Sequence, residues 1–220
     1  MKPSGDPQFF PPVHCADPDG LLAIGGKLDP RWLLDAYRHG IFPWPLSDNF
    51  LAWWSPDPRA VLELEDLHVS RRLRRTLASG KFDVTVNRNF AAVIQGCATV
   101  DDRRHATWIT PDIQRAYCRL HELGHAHSIE VWQDGQLAGG LYGVAIGAMF
   151  AAESKFYRLR DASKVALVNL VQRLRDRDYE LLDIQQLTSH MQRLGAREIP
   201  RQRFLTRLQA AIVRDVQFVD

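Results

Sequence analysis

The chain has 220 residues, a net charge of +2, 45% hydrophobic residues and 25% charged residues, which is average for a globular protein and excludes a disordered chain or a disulfide-stapled miniprotein. The apolar stretch 139–152 is too short and too rich in glycine to span a bilayer, so no membrane association is expected. The small net charge conceals 23 Arg against 5 Lys, an excess that suits phosphate binding but is also typical of a GC-rich genome.

The composition changes near residue 60. Residues 1–59 hold most of the twelve prolines and four of the six tryptophans. They predict one helix from Asp29 to His39, with Asp29 as N-cap, Pro30 at the first helical position and Gly40 after the end. We therefore predict a small N-terminal α/β domain over residues 1–59, followed by a larger domain over residues 60–220.

Strand and helix patterns alternate in the larger domain. The predicted strands are Val61–Leu64, 82–86, Ser128–Trp132, a long glycine-interrupted strand from Gln136 through Gly147 and Phe150, and Leu181–Ile184. The predicted helices are Ser70–Ser79, Asn89–Cys97, one opened by Thr110-Pro111 and closed by Gly124, Asp161–Arg177, Thr188–Leu194 and Arg201–Val213. This mixture predicts an α+β fold class with a central mixed sheet.

The cysteines indicate the compartment. Cys15, Cys97 and Cys118 are odd in number and lack CxxC spacing, which argues for a reducing environment and against a zinc ribbon. The first residues have no apolar segment typical of a secretory signal. We therefore expect a cytoplasmic protein.

The segment His121 to His125 matches the HExxH pattern of zinc peptidases. A zinc site would need both histidines on one helix face, yet Gly124 stands where a helix would end. The sequence therefore predicts a histidine-rich helix end, and we expect no metal ligand in this chain.

Several segments are too specific to arise from generic packing. They are Asp19-Gly20-Leu21-Leu22-Ala23-Ile24-Gly25-Gly26, His39-Gly40-Ile41-Phe42-Pro43-Trp44, Trp53-Trp54-Ser55-Pro56-Asp57-Pro58-Arg59, Thr107-Trp108-Ile109-Thr110, Gly139-Gly140-Leu141-Tyr142-Gly143, Ala162-Ser163-Lys164, and Leu182-Asp183-Ile184-Gln185. In this order they closely resemble the leucyl/phenylalanyl-tRNA protein transferase family, over roughly residues 10–210.

The resemblance implies an aminoacyltransferase with a small N-terminal domain and a domain similar to the GNAT acyltransferases. Such an enzyme moves Leu or Phe, and less well Met, from a charged tRNA to the N-terminal Arg or Lys of an acceptor protein. The new N-terminus marks that protein for proteolysis. The reaction needs no metal or organic cofactor, because the ester already stores the free energy, and we expect a monomer.

The resemblance also assigns three candidate catalytic residues. Asp183 and Gln185 lie two apart on a predicted strand, so their side chains are expected on one face. Asp183 would polarise the Gln185 amide, which would accept a proton from the attacking amine; because an amide is a poor base, positioning of the amine by Gln185 is an equal alternative. Glu153, expected at the end of an apolar strand 148–152, would accept a hydrogen bond from the α-ammonium group of the donor.

Substrate-binding residues follow from the same resemblance. Residues expected to line the aminoacyl side-chain pocket are Leu141, Phe150, Leu167, Leu170 and Leu182, although all five also fit an ordinary core. Trp44 and Trp108 would lie near the terminal adenosine of the tRNA. Arg71, Arg72, Arg74 and Arg75 would contact phosphates, with Arg103 and Arg104 as a second basic spot; a solvated helix face is the alternative.

The chain departs from the family pattern beside Glu153. Lys155 stands where the family usually has Met, Tyr157 follows Phe156, and Asp161 replaces a common Asn. Two alternative functions stay open. A CoA-dependent N-acetyltransferase is one, because the larger domain is expected to be GNAT-like; a catalytically silent tRNA-binding module is the other, because of the departure at Lys155. The segment Gln192–Arg197 approaches a pyrophosphate-binding loop but fails at its last position.

Overall fold

The computed structural model describes residues 7–47, 50–99 and 107–219. Its helices are α1 (Pro30–Arg38), α2 (Arg71–Ala78), α3 (Phe90–Thr99), α4 (Pro111–Glu122), α5 (Ala162–Asp176), α6 (Ser189–Gln192) and α7 (Arg201–Ala211). Its strands are β1 (Leu21–Ile24), β2 (Phe42–Pro43), β3 (Ala52–Trp54), β4 (Arg59–Val61), β5 (Asp83–Val86), β6 (Ala126–Gln133), β7 (Gln136–Ile146), β8 (Met149–Tyr157), β9 (Leu181–Gln185) and β10 (Arg197–Ile199). No helix within these ranges is long and apolar enough to cross a membrane.

The N-terminal part contains a three-stranded antiparallel sheet in the order β1–β3–β2. Helix α1 begins where the sequence predicts it. The Asp29 carboxylate accepts hydrogen bonds from the backbone N–H groups of Arg31 and Trp32, and Pro30 lacks the N–H that would stay unpaired there. The Trp32 ring lies 6.2 Å from that of Trp53 in β3, so α1 rests on the small sheet.

The other strands form a seven-stranded sheet in the order β10–β4–β9–β8–β7–β6–β5. Neighbouring strands are antiparallel except for β8 and β9, which are parallel and are connected through α5. Leu141 and Tyr142, adjacent in β7, belong to two different apolar cores, as expected for a sheet covered on both faces. The α+β class with a central mixed sheet is confirmed.

The parallel pair β8 and β9 is short. Only three residue pairs are in register, from Met149 with Leu181 to Ala151 with Asp183. Immediately after this point β8 carries a bulge, because Tyr142 pairs with Ser154 while Gly143 pairs with Ala152, which leaves Glu153 as the extra residue. The two strands therefore separate where Glu153 and Gln185 stand.

Two strand predictions were wrong, and the strand that carries Glu153 was predicted to end too early. The predicted strand Val61–Leu64 lies earlier, as β4, and a 3-10 turn occupies Leu64–Asp66. The predicted long strand from Gln136 through Phe150 is a hairpin, because Gly147 adopts a left-handed backbone with φ of 53° and reverses the chain between β7 and β8. Consequently Glu153 lies in the middle of a strand and not at its end.

The helix predictions were confirmed to within a few residues. Ser70 caps α2 and Thr110 caps α4 through side-chain oxygens that accept backbone N–H groups. α3, α5, α6 and α7 also occur where the patterns predict them. No sequence pattern predicted β1, β2, β3 and β10, which are two to four residues long.

Candidate active site

A cleft of about 880 Å³ opens where β8 and β9 separate. Residues of β8, the end of β9, the first turn of α5, α6 and the segment 107–108 form its wall. Glu153 and Gln185 both line it. Asp183, which is 2% exposed, lies behind them and does not contribute to the wall.

The buried carboxylate of Asp183 is fully engaged. Its two oxygens accept hydrogen bonds from Nε and a terminal nitrogen of Arg59, at 2.8 and 2.7 Å. One of these oxygens also accepts the backbone N–H of Gln185 at 3.0 Å. Asp183 therefore contacts the main chain of Gln185, whereas the expected contact was with the side-chain amide.

Gln185 ends β9 in a left-handed conformation with φ of 57°. Such a φ is unusual for a residue other than glycine and marks a site where the surroundings hold the backbone. The hydrogen bond to Asp183 is one such restraint. In this conformation the amide nitrogen Nε2 donates to Oε1 of Glu153 at 2.8 Å, across the gap between β9 and β8.

Glu153 projects from the bulge in β8 and is partly buried. Its second oxygen accepts a hydrogen bond from the Tyr117 hydroxyl at 3.0 Å, and Tyr117 is in turn hydrogen-bonded to the Tyr37 hydroxyl. Glu153 thus connects residues of α1, α4 and β9.

Burial has the largest effect on the pKa of Glu153. Loss of solvation raises the pKa of Glu153 to about 7, against the opposing effect of the tyrosine hydroxyls that donate to it. The negative charge of Asp183 raises this pKa further, and the positive charge of Arg59 lowers it. Burial also holds the pKa of Tyr37 and of Tyr117 well above the ordinary value, so both hydroxyls stay protonated.

The five residues expected to line a side-chain pocket divide into two groups. Leu141 and Leu167 line the cleft. Phe150, Leu170 and Leu182 are fully buried in the core beneath it and do not reach the cleft wall. The role of these three residues in the side-chain pocket stays a prediction.

The two tryptophans stack on each other. The rings of Trp44 and Trp108 are 4.9 Å apart and inclined by 19°, and both line the cleft. Trp44 is 40% exposed. The structure thus brings together two aromatic rings that are far apart in the sequence, at the edge of the same cleft as Glu153.

The four arginines of α2 are exposed around the single buried residue of that helix, Leu73. The guanidinium group of Arg72 lies 3.7 Å from the carboxylate of Asp161, which lines the cleft. α2 is therefore adjacent to the cleft mouth. The second basic spot, Arg103 and Arg104, lies outside the described residues.

Lys155 lines the cleft, and its ammonium group is 2.8 Å from the sulfur of Met191. The side chain does not point away from the site. Asp161 is held at the start of α5 by Lys164 at 2.8 Å, and these charges lower the pKa of Asp161. The departures from the family pattern thus lie on the cleft wall itself.

The HExxH segment does not form a metal site. Helix α4 ends at Glu122, and Gly124 follows with φ of 79°, so the helix carries only His121. That histidine is hydrogen-bonded to the carbonyl oxygen of Ala126 and stacks on Phe90. Within the described parts of the chain, no cluster of three or more His, Cys, Asp or Glu side chains could hold a metal ion.

Three residues of this site were missed. Tyr37, Tyr117 and Arg59 contact the predicted carboxylates or their partners, but they lie far from them in sequence. Arg59 carried the one available signal, since it directly precedes the apolar residues Ala60 and Val61 of a strand, where a charged side chain needs a partner.

Comparisons with family profiles and with the sequences of known proteins agree on one family. The profile of the leucyl/phenylalanyl-tRNA protein transferases matches residues 61–209, and that of their N-terminal domain matches residues 26–57. A protein of that name from Solidesulfovibrio magneticus is 52% identical over 207 residues, which cover 94% of this chain and 84% of the relative. Another from Stutzerimonas stutzeri is 54% identical over 201 residues, which cover 90% and 89%.

Similar solved structures include a GCN5-related N-acetyltransferase from Kribbella flavida, with a TM-score of 0.41 and 14% identity over 77% of this chain and 60% of the other. A GNAT-family acetyltransferase from Staphylococcus aureus has a TM-score of 0.36 and 12% identity over 46% and 71%. Since one family profile matches most of the chain and relatives above 50% identity span nearly all of it, the chain belongs to the leucyl/phenylalanyl-tRNA protein transferase family.

Proposed function

We propose that this transferase moves Leu or Phe, and less well Met, from aminoacyl-tRNA to the N-terminal Arg or Lys of acceptor proteins, and that the product carries a degradation signal. The cleft supports this assignment because the contact between Glu153 and Gln185 stands beside apolar side chains and a pair of tryptophans. A carboxylate, an amide, an apolar wall and an aromatic ledge are the features that an aminoacyl-adenosine requires.

The reaction conserves protons. The neutral amine of the acceptor attacks the ester carbonyl, a C–N bond forms, and the C–O bond to the ribose breaks. The proton that the amine loses is taken up by the departing ribose oxygen, which becomes a hydroxyl group. No external base is therefore consumed. The residues of the cleft therefore act mainly by orienting the two amines and the ester.

In this proposal Glu153 binds the α-ammonium group of the donor. An ionised carboxylate is the strongest acceptor for an ammonium group, and Tyr117 and Gln185 hold both oxygens of Glu153 in place. Because the pKa of Glu153 is about 7, the charged form prevails only above neutral pH. Donor binding should weaken as the pH falls below that pKa.

For Gln185 we favour positioning of the acceptor amine over proton abstraction. Its amide nitrogen donates to Glu153, so its oxygen faces another direction and can accept a hydrogen from the amine. Polarisation of this amide by Asp183 would require a hydrogen bond between the two side chains. Asp183 instead binds the main-chain N–H of Gln185 and the side chain of Arg59. Asp183 then acts as a positioning residue.

For the donor side chain we propose Leu141 and Leu167 as the contact surface, with Phe150, Leu170 and Leu182 supporting them from the core. An apolar wall of this kind favours a flexible γ-branched or aromatic side chain. It discriminates against one missing methylene by only about 1–3 kcal/mol. The preference for Leu over related amino acids is therefore expected to be moderate.

For the tRNA we propose that the terminal adenine stacks on the outer face of the Trp44 and Trp108 pair, and that α2 contacts the acceptor-stem phosphates. The position of Arg72 beside Asp161 at the cleft mouth supports this path. We further propose a cytoplasmic monomer that needs no cofactor. The division into residues 1–59 and 60–220 stays a prediction; β4 begins at its edge, at Arg59.

One experiment tests the proposal. The purified protein is incubated with radiolabelled leucyl-tRNA and a peptide that begins with Arg, with a peptide that begins with Glu as matched control. Label in the Arg peptide alone supports the proposal. Binding of tRNA without transfer would indicate the silent module, and acetylation that depends on acetyl-CoA would indicate an acetyltransferase; either result contradicts it. Gln185→Ala and Asp183→Asn should each lower the transfer rate by more than about tenfold, which is about 1.4 kcal/mol in the barrier.

A further inference from the structure

Arg59 is the most deeply buried charged side chain next to the site. It begins β4 and is 1% exposed. Two of its nitrogens donate to the oxygens of Asp183, and the third donates to the carbonyl oxygen of Gly40 at 3.0 Å. Its guanidinium plane lies between the rings of Phe42 and Phe204, at 4.7 and 4.6 Å from their centroids.

Burial makes the geometry of this ion pair decisive. Removing two charges from water costs more than their attraction returns, unless the geometry is bidentate and every polar atom is hydrogen-bonded. Arg59 satisfies these conditions, since all three nitrogens have acceptors and the rings of Phe42 and Phe204 pack against the guanidinium group. Lysine could not replace it, because a single ammonium group cannot bind both oxygens of Asp183 and Gly40 in one plane.

The contacts of Arg59 continue into the cleft. Asp183, fixed by Arg59, accepts the N–H of Gln185. This bond helps to hold Gln185 in its left-handed conformation, in which the amide reaches Glu153. A short chain of hydrogen bonds thus connects a buried arginine to the two polar groups of the cleft.

We propose that Arg59 is a positioning residue of the transfer reaction, which acts through Asp183 to hold Gln185 against Glu153. This inference rests on the roles proposed above for Gln185 and Glu153. Arg59 itself touches no substrate. It also ties the site to the N-terminal part of the chain, because Gly40 and Phe42 hold the other side of its guanidinium group.

The charge of Arg59 gives the proposal a second observable. The charged and titratable groups that act on Glu153 from behind the cleft are Tyr37, Tyr117, Arg59, Tyr142 and Asp183, on α1, α4, β4, β7 and β9. The cleft itself is also lined by Lys155, Tyr157, Arg160, Asp161, Lys164 and His190, which all the variants below retain. Asp183 raises the pKa of Glu153 and Arg59 lowers it. Removal of Arg59 alone therefore leaves an uncompensated negative charge behind the site, and the pKa of Glu153 should rise.

The test compares Arg59→Met, Asp183→Asn and the double variant with wild type. For Arg59→Met we expect kcat to fall at least about tenfold. KM for leucyl-tRNA should change little at a pH where Glu153 is ionised in both proteins, because the outer tRNA contacts are intact, and should rise below that pH as Glu153 takes up its proton. The titration of Glu153, followed by NMR of ¹³C-carboxyl-labelled glutamate and assigned with Glu153→Gln, should move up by roughly one pH unit. In the double variant both charges are absent, so this titration should return toward the wild-type position.

Arg207→Met is the matched control. Arg207 also binds a carboxylate through two nitrogens, that of Glu63 at 2.6 and 2.8 Å, but outside the cleft. It should leave kcat and the titration of Glu153 unchanged. Arg59→Lys keeps the positive charge but cannot bind both oxygens of Asp183. It should therefore leave the titration of Glu153 at the wild-type position and lower kcat strongly. If Arg59→Met does not fold, Arg59→Lys and the double variant decide the question.

A folded Arg59→Met protein with wild-type kcat, or with an unmoved titration of Glu153, would overturn the proposal. So would an equal loss of kcat in Arg207→Met, since the effect would then follow from any lost ion pair. If Gln185→Ala and Glu153→Gln retain activity while the titration moves as expected, the roles proposed for those two residues fail and the electrostatic coupling through Arg59 stands. The titration needs no substrate, so the two failures are distinguishable.

Discussion

Replacement of Glu153 by Gln should stabilise the protein at alkaline pH while it abolishes most of the activity. Glutamine keeps the size of the side chain, and its carbonyl oxygen can still accept the hydrogen bond from Gln185. It removes the charge whose burial raises the pKa of Glu153 to about 7 from the ordinary value of 4.5. The variant therefore isolates the cost of keeping a carboxylate in this cleft.

The sign follows from proton linkage. A carboxyl group with a raised pKa binds its proton more tightly in the folded state than in the unfolded chain, so wild type loses stability as the pH rises from 4.5 to about 7. Between about pH 5 and pH 8 the loss amounts to about 2–3 kcal/mol, since each pH unit of difference corresponds to about 1.4 kcal/mol. The glutamine of the variant does not titrate, and all other groups are common to both proteins.

The assay is urea unfolding of both proteins at intervals between about pH 5 and pH 8. The difference in unfolding free energy should change by about 2–3 kcal/mol in favour of Glu153→Gln across this range. Glu198→Gln, at an exposed position of β10 outside the cleft, is the control and should keep the wild-type slope. Parallel pH profiles for wild type and Glu153→Gln would refute the assignment of a destabilised carboxylate.

Three further outcomes are expected. Arg71→Glu combined with Arg75→Glu should lower the slope of log affinity for tRNA against log salt by roughly two, as filter binding would measure, and an unchanged slope would remove α2 from the tRNA interface. Trp108→Ala should weaken binding of aminoacyl-tRNA by about 1–3 kcal/mol in the same filter-binding assay, and unaltered affinity in a folded variant would contradict base stacking there. Gly143→Ala should destabilise the fold by about 3 kcal/mol in urea, because a Cβ atom would lie 2.2 Å from the carbonyl oxygen of Ala151, and full stability would show that the bulge can shift.

Local patterns predicted the helices well because helix ends are fixed by residues within one turn. Asp29, Ser70 and Thr110 each bind backbone N–H groups two or three positions away, so the signal is contained in the sequence itself. Strands depend on partners elsewhere. β2 has two residues, and its partner β3 starts nine residues after it ends, which leaves no periodic pattern to detect.

The site, too, was predicted only in part, because some of its contacts join residues that are distant in the sequence. The resemblance identified Glu153, Gln185 and Asp183, and the structure brings them together. Neither periodicity nor spacing revealed the bulge at Glu153, because it arises from the register between β7 and β8. Nor could they reveal the partner of Asp183, since Arg59 lies 124 positions away and meets it only through the pairing of β4 with β9.

The arginine excess has more than one cause. Many of these side chains serve the fold: Arg59 binds Asp183, Arg207 and Arg197 bind Glu63, and Arg214 binds Glu180. The abundance of Arg over Lys is therefore no measure of RNA affinity. The arginines of α2 differ, because they are exposed and, among the residues the structure describes, only Arg72 of the four is paired with a carboxylate. That carboxylate, Asp161, is at the cleft mouth. A phosphate that approached the cleft would therefore compete with Asp161 for Arg72, and three further exposed guanidinium groups lie on the same helix. The placement of these arginines, and not their number, is the reason to expect RNA on this side of the molecule.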